Sequence, residues 1–202
     1  MISIGLWLLA SYLLGATPTS YLAGRVARGI DLREHGSKNL GATNVYRLLG
    51  WHWAIPVALI DIAKGVIPVA VFAPWSGGGP WVQVGCGVAA VLGHIFSPYV
   101  GFRGGKGVAT AAGMFLALAP LAVAIALPVW GACLWLTGYV SLSSMVAAAT
   151  FPLWVRLSRP EMPAAFWAAV TLAGVIVFSH RVNIRRLLAG TESRFRTRKE
   201  LS

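Results

Sequence analysis

Apolar residues in this chain fall into long runs separated by short polar segments, and the run lengths set the first expectations. Residues 2–24 form the first run. Thr17, Pro18, Thr19 and Ser20 near its end predict a kink, because proline removes a backbone donor. Met1 to Ala16 lacks a basic leading region, so the run reads as a first span and not as a cleaved signal. A polar segment, 25–51, carries Arg25, Arg28, Asp31, Arg33, Glu34, Lys38 and Arg47. Residues 52–73 are apolar again, with Asp61 and Lys64 on one helix face. An uncharged turn from Pro74 to Pro80 leads to a third run, 81–100, with His94 near its end, and then to a glycine-rich stretch. Between 107 and 157, Pro120, Pro128 and Gly138 interrupt the pattern. The reading is three short spans, 107–119, 121–138 and 140–156, with one span plus a re-entrant piece as the alternative. A loop containing Arg156, Arg159, Pro160, Glu161 and Pro163 precedes the last run, 164–180, and a basic tail to Ser202. Two short surface helices are expected as well, one over 44–49 ended by Gly50 and one around Asn183. The pattern predicts an all-α membrane protein: one domain, 1–202, forming a polytopic bundle of about seven transmembrane helices.

Composition supports the membrane reading. Of 202 residues, 57% are hydrophobic and 11% are charged, too few charges to solvate a globular surface. The formal net charge is +11, and the cations are assigned to cytoplasmic loops, anionic lipid or anionic substrates, not to nucleic acid. With either seven or five spans, segments 25–51, 101–106 and 181–202 fall on one side and carry most of the cations. The positive-inside rule then predicts an N-terminus outside and a C-terminus in the cytoplasm. Cys86 and Cys133 lie in apolar runs without a paired spacing, which argues against a disulfide framework, a zinc site or a thiolate nucleophile.

Three segments carry candidate chemistry. Gly101-Phe102-Arg103-Gly104-Gly105-Lys106-Gly107 has four glycines and two cations ahead of a helix start at Val108. Such a loop can hold a phosphate-sized anion on its backbone N–H groups, or it can be a tight interhelical turn. It is not a nucleotide P-loop: the first glycine is displaced and Gly107 stands where the metal-binding hydroxyl belongs. The segment Gly36 to Arg47 combines Ser37, Lys38, Asn39, Thr43, Asn44 and Arg47, a donor set suited to oxyanions. A capped loop and short helix is the plainer reading. The segment His180 to Glu192 places His180 and Asn183 on one helix face. The histidine can act as a proton acceptor or as an interfacial hydrogen-bonding group. Asp61 and Lys64 read as a self-neutralising structural pair, and His94 is placed to hydrogen-bond the glycine loop. No His-x4-Asp motif, aspartate cluster or HExxH pattern is present, so no metal or other cofactor is expected.

At these residues the chain resembles the bacterial membrane glycerol-3-phosphate acyltransferases that take acyl phosphate as donor. Three family motifs appear in order. The first is Gly36-Ser37-Lys38-Asn39-Leu40-Gly41-Ala42-Thr43-Asn44 through Arg47. The second runs from Gly93-His94-Ile95-Phe96 through Gly104-Gly105-Lys106-Gly107-Val108-Ala109-Thr110. The third runs from His180-Arg181-Val182-Asn183-Ile184 through Gly190-Thr191-Glu192. Asp61-x-x-Lys64-Gly65 is similar to the family as well, and Ser97 before Pro98 departs from it. The resemblance implies a seven-helix fold in the bacterial cytoplasmic (inner) membrane, with the active site at the cytoplasmic face. It implies acyl transfer to the 1-hydroxyl of glycerol 3-phosphate, releasing lysophosphatidate and phosphate.

The expected catalytic set is Ser37, Arg47, Lys106, His180 and Asn183. The expected substrate-binding set adds Asn39, Thr43, Asn44, His94, Gly104, Gly105, Gly107, Thr110 and Glu192. Backbone N–H groups of Gly104, Gly105 and Gly107, helped by Lys106, are expected to hold the acyl-phosphate group. Ser37, Arg47, His180 and Asn183 are expected to hold glycerol 3-phosphate. A carboxylate near two phosphates would repel them, so Glu192 reads as a support for the third loop. Acyl phosphate carries a good leaving group, so direct attack without an acyl-enzyme is expected, with either His180 or the acceptor's own phosphate taking the proton and the phosphate preferred. Beyond acyl phosphate, glycerol 3-phosphate and the lipid bilayer, no obligatory protein partner is evident. The alternative is an organic-phosphate transporter, which predicts inverted repeats that the sequence does not display.

Overall fold

The computed structural model describes residues 3–195. Arg196, Arg198 and Lys199 of the expected tail lie outside the described residues. The chain is helical and divides into two compact units, Met1–Pro120 and Leu121–Ser202.

In the first unit, the run expected as one kinked span is two helices, α1 (Ile4–Ala16) and α2 (Thr19–Arg28). Pro18 has no N–H to continue the ladder and clashes with the preceding turn, so the helix stops and restarts. α2 ends at Gly29, whose φ of 67° lets its N–H return to the Arg25 carbonyl. α3 (Ala42–Leu49) ends at Gly50, and α4 (Trp51–Ile67) starts directly after it. α4 continues through a wide π turn, Pro68–Phe72, to Trp75. α5 (Pro80–Ile95) is followed by a short 3-10 turn, Pro98–Val100, and α6 is Val108–Leu118. α7 (Pro120–Thr137) opens at the last residue of this unit. Pro128 lies within α7 and does not interrupt it, inside the span expected over 121–138. The second unit continues with α8 (Val140–Ser158), α9 (Pro163–Ser179) and α10 (Arg181–Leu188).

Trp51–Trp75, Pro80–Val100, Pro120–Thr137 and Val140–Ser158 are long and apolar enough to cross a membrane; α9 and α10, bent by 55°, make a fifth if taken together. Helices stand at all the expected positions, but α1 and α6 have only 13 and 11 residues. At 1.5 Å per residue each is roughly 20 Å or less, short of a hydrocarbon core of about 30 Å.

Glycines set the packing of the first unit. A Cβ on Gly15 would meet the backbone of Ala90, and one on Gly93 would meet the Tyr12 carbonyl, so α1 and α5 run antiparallel in backbone contact. The same reciprocity joins α4 and α6, with Gly65 against the Thr110 carbonyl and Gly113 against the Ile62 carbonyl. Apolar burial gives helices in lipid little reason to associate, and close backbone approach at small residues supplies the contact instead. Gly113→Val should therefore lower the thermal midpoint of the purified protein, with a loss at or above the roughly 1–3 kcal/mol typical of overpacking. A midpoint equal to wild type would show that this contact does not hold the pair together.

Candidate functional site

The segment between α2 and α3 is held from below and from within. Leu32, Leu40 and Val45 are buried with Ala23, Ala54, Val57 and Val100 in one apolar cluster. Asn44, 1% exposed, organises the polar side. Its Oδ1 accepts the Ser37 N–H at 2.9 Å, and its Nδ2, whose two hydrogens serve three acceptors by sharing one, lies 3.1–3.2 Å from the carbonyl oxygens of Leu32, His35 and Asn39. Asn44 was expected to bind substrate, but its amide is engaged with the loop's own backbone, which turns through Gly36 and Lys38 at positive φ. Ser37, Asn39, Thr43 and Arg47 are half-buried on this scaffold. Arg33 ties the segment to the next motif: it grips Asp31 through Nε and Nη2 (2.6 Å at the shortest) and donates from Nη1 to the Val100 carbonyl at 2.8 Å. The Arg33 guanidinium, hydrogen-bonded to Asp31, holds that carboxyl below its ordinary value, against the opposing effect of burial.

The glycine loop is built otherwise than expected. The Gly104 N–H donates to the Ile95 carbonyl and the Gly105 N–H to the His94 carbonyl, both at 3.0 Å. These donors satisfy carbonyls left over at the end of α5 and do not cradle an anion. The glycines are needed for space: a Cβ on Gly104 would meet the His94 carbonyl, and one on Gly105 would meet His94 Nε2 and the Leu40 carbonyl. Gly107, with φ of 82°, directly precedes α6, so the unpaired N–H groups of that helix's first turn lie beside Lys106, which is half-buried. Thr110, also expected to touch substrate, is 0% exposed at the α4–α6 contact.

Below the loop lies a buried polar cluster. Lys64 Nζ is 2.8 Å from Asp61 Oδ1, 2.7 Å from the Thr17 carbonyl oxygen and 3.4 Å from His94 Nδ1. Thr19 Oγ1 donates to Asp61 Oδ1. Thr17, Ser20, His94, Ser97, Gly104 and Gly105 line a pocket of about 200 Å³ of empty space, part of it open to solvent. The sequence had placed Thr17, Thr19 and Ser20 only at a kink.

In the second unit, His180 caps α9 and starts α10, and its Nδ1 lies 2.8 Å from the Ile176 carbonyl oxygen, an acceptor only, so Nδ1 carries the proton. Asn183 Nδ2 donates to Glu192 Oε1 at 2.7 Å, and Ser141 Oγ donates to the same oxygen at 2.6 Å. Glu192 thus ties the segment after α10 to Asn183 and Ser141. Ser141 is new here; its serine-rich helix start carried no motif. Among the described residues no group of three His, Cys, Asp or Glu side chains could hold a metal ion.

Comparison with known proteins gives a consistent result. The family described as glycerol-3-phosphate acyltransferase matches residues 5–190. A glycerol-3-phosphate acyltransferase of Trichlorobacter lovleyi is 46% identical over 191 residues, covering 94% of this chain and 96% of the relative. One from Geobacter sulfurreducens is 44% identical, covering 92% and 94%. A crystal structure of PlsY (YgiH), an integral membrane glycerol 3-phosphate acyltransferase in its glycerol 3-phosphate form, superposes with a TM-score of 0.88 at 36% identity and covers 98% of both chains. Its lysophosphatidic acid form gives 0.87 at 35% identity, with 96% of both chains covered.

The Asp31–Arg33 grip has a pH consequence. Asp31's folded-state value lies below its unfolded one, so its contribution is complete above the ordinary carboxylate value of about 3.9 and is lost as pH falls below it. Thermal midpoints measured from pH 7 down to 3 should therefore show an acid-side decline that is shallower in Asp31→Asn than in wild type. Identical acid limbs would show that the grip contributes nothing.

Proposed function

Because this chain belongs to the glycerol-3-phosphate acyltransferase family, as an integral membrane enzyme making lysophosphatidic acid, we propose that its donor is acyl phosphate and its acceptor glycerol 3-phosphate. The observation that carries the proposal is that one unit holds two separate oxyanion-type segments. One is Ser37 to Arg47, and the other is Lys106 with the start of α6. A reaction between two phosphate-bearing substrates needs two such sites; a thioester donor would need one at the reacting end.

Acyl phosphate's phosphoryl group is assigned to Lys106 and the N–H groups that open α6, where the helix dipole favours an anion. Glycerol 3-phosphate is assigned to Ser37 and Arg47, whose fork suits a phosphate. His180 and Asn183, in the second unit, are assigned to the acceptor as well. The hydroxyl oxygen at position 1 attacks the acyl carbonyl carbon, the carbon–oxygen bond to phosphate breaks, and phosphate leaves with that electron pair. The hydroxyl proton passes to the acceptor's dianionic phosphate. No covalent enzyme intermediate is required, because the cations and dipoles stabilise the leaving phosphate and the developing oxyanion. The cation-rich segments favour the cytoplasmic face for this chemistry.

The test is product release by purified protein in lipid, given palmitoyl phosphate and glycerol 3-phosphate without metal or coenzyme A. Lysophosphatidate and phosphate should appear in equal amounts, and Lys106→Ala and Arg47→Ala should each lower the rate by roughly a hundredfold or more. Folded protein that makes lysophosphatidate only from acyl-coenzyme A would overturn the donor assignment. His180→Ala should raise KM for glycerol 3-phosphate more than it lowers kcat. A variant that loses kcat alone, together with the acid limb of its pH–rate profile, would make His180 the base instead.

A further inference from the structure

The buried cluster beneath the glycine loop fixes more than the packing. An ammonium has three hydrogens and no lone pair, so each of Lys64's contacts, to Asp61 Oδ1, the Thr17 carbonyl and His94 Nδ1, is a donation by lysine. His94 Nδ1 is therefore an acceptor. The competing arrangement, Nδ1–H donating to Asp61 Oδ1, spans 3.8 Å, beyond hydrogen-bond length, and would aim a hydrogen at the ammonium. A neutral imidazole whose Nδ1 accepts carries its hydrogen on Nε2. Nε2 sits on the loop side of the ring, where a Cβ on Gly105 would collide with it.

The pocket on that side holds a second donor. Ser20 Oγ is buried, its residue 2% exposed, without a protein partner, and it lines the same pocket as His94, Gly104 and Gly105. Of the neighbouring hydroxyls, Ser97 donates to the Ala16 carbonyl and Thr19 to Asp61. No acid lines the pocket. Two donors lining one partly open pocket, with no carboxylate among its lining residues, suit an anionic oxygen.

We propose that this pocket binds a phosphoryl oxygen of the acyl donor through His94 Nε2–H and the Ser20 hydroxyl, with Asp61 and Lys64 as positioning residues that hold His94 in its Nε2–H tautomer. The identity of the ligand rests on the acyl-phosphate reading above; the tautomer and the pocket do not. The acyl donor and its product, inorganic phosphate, share the phosphoryl chemistry, so both serve as probes.

The first measurement is the 15N spectrum of histidine-labelled full-length protein in micelles, with His94 assigned by the His94→Gln variant. His94 should show Nε2–H, and its Nε2 shift should move on titration with inorganic phosphate. Ser20→Ala should weaken that titration roughly tenfold. In the double variant Asp61→Leu/Lys64→Met, which removes both buried charges together, the tautomer preference should disappear while a cooperative thermal transition persists. The second measurement is kinetic. His94→Asn, which places no donor at Nε2, should raise KM for palmitoyl phosphate roughly tenfold without raising that for glycerol 3-phosphate, and His94→Gln should recover part of the loss. An Nδ1–H or doubly protonated His94, a phosphate-insensitive Nε2, or a shift produced only by glycerol 3-phosphate would overturn the proposal. Failure of the donor assignment alone reads differently: phosphate would still move His94, while palmitoyl phosphate would give no product.

Discussion

A charged group in the hydrocarbon region must find its opposite and fill its remaining hydrogen bonds, or the fold fails. Asp61 and Lys64, 1% and 2% exposed on α4, meet that requirement with groups from two other helices. Lys64's partners include the Thr17 carbonyl, which is freed because Pro18 breaks the chain between α1 and α2. The break, the ion pair and the orientation of His94 are therefore one construction. Replacing Pro18 with a helix former would withdraw the carbonyl that completes the lysine, and removing the lysine would leave the aspartate's buried charge with only the Thr19 hydroxyl to meet it.

The same demand for internal satisfaction shapes the two loops of the first unit. The carbonyls at the end of α5 are met by Gly104 and Gly105, so the glycine loop is first of all the cap of that helix. Only after this cap does the chain reach Lys106 and the first turn of α6. In the segment before α3, Asn44 does for the loop what a regular ladder does for a helix, satisfying three carbonyls and one N–H from a single side chain. Glu192 plays the corresponding part in the second unit by holding Asn183 and Ser141. Polar residues in these motifs thus divide into those that build the surface and those that present donors on it.

Most of the helical framework was legible from apolar runs. The three spans expected over 107–156 correspond to Val108–Leu118, Pro120–Thr137 and Val140–Ser158, and the short helix expected over 44–49 is Ala42–Leu49. Proline was the weak guide: Pro18 splits a run that composition reads as continuous, while Pro128 is absorbed within a helix. The segments of the candidate site were visible as clusters of glycine, amide and cation, but the division of labour within them was not. Asn44, Gly104, Gly105 and Thr110 look like ligands in one dimension. The partners of Asn44, Gly104 and Gly105 are backbone groups, several of them on other segments, and Thr110 is closed into the α4–α6 contact; these appear only when the helices pack. Ser20 and Ser141 were passed over because a lone serine near a helix end has many ordinary uses.

The most direct test of this account is amide hydrogen exchange over the peptide spanning residues 94–107, compared between wild type and the double variant Asp61→Leu/Lys64→Met. If the buried pair supports the glycine loop through His94, protection at Gly104 and Gly105 should fall in the variant while the α1–α5 and α4–α6 contacts keep theirs. Unchanged protection across 94–107, with the pair removed and the protein folded, would contradict the claim that the loop depends on that pair.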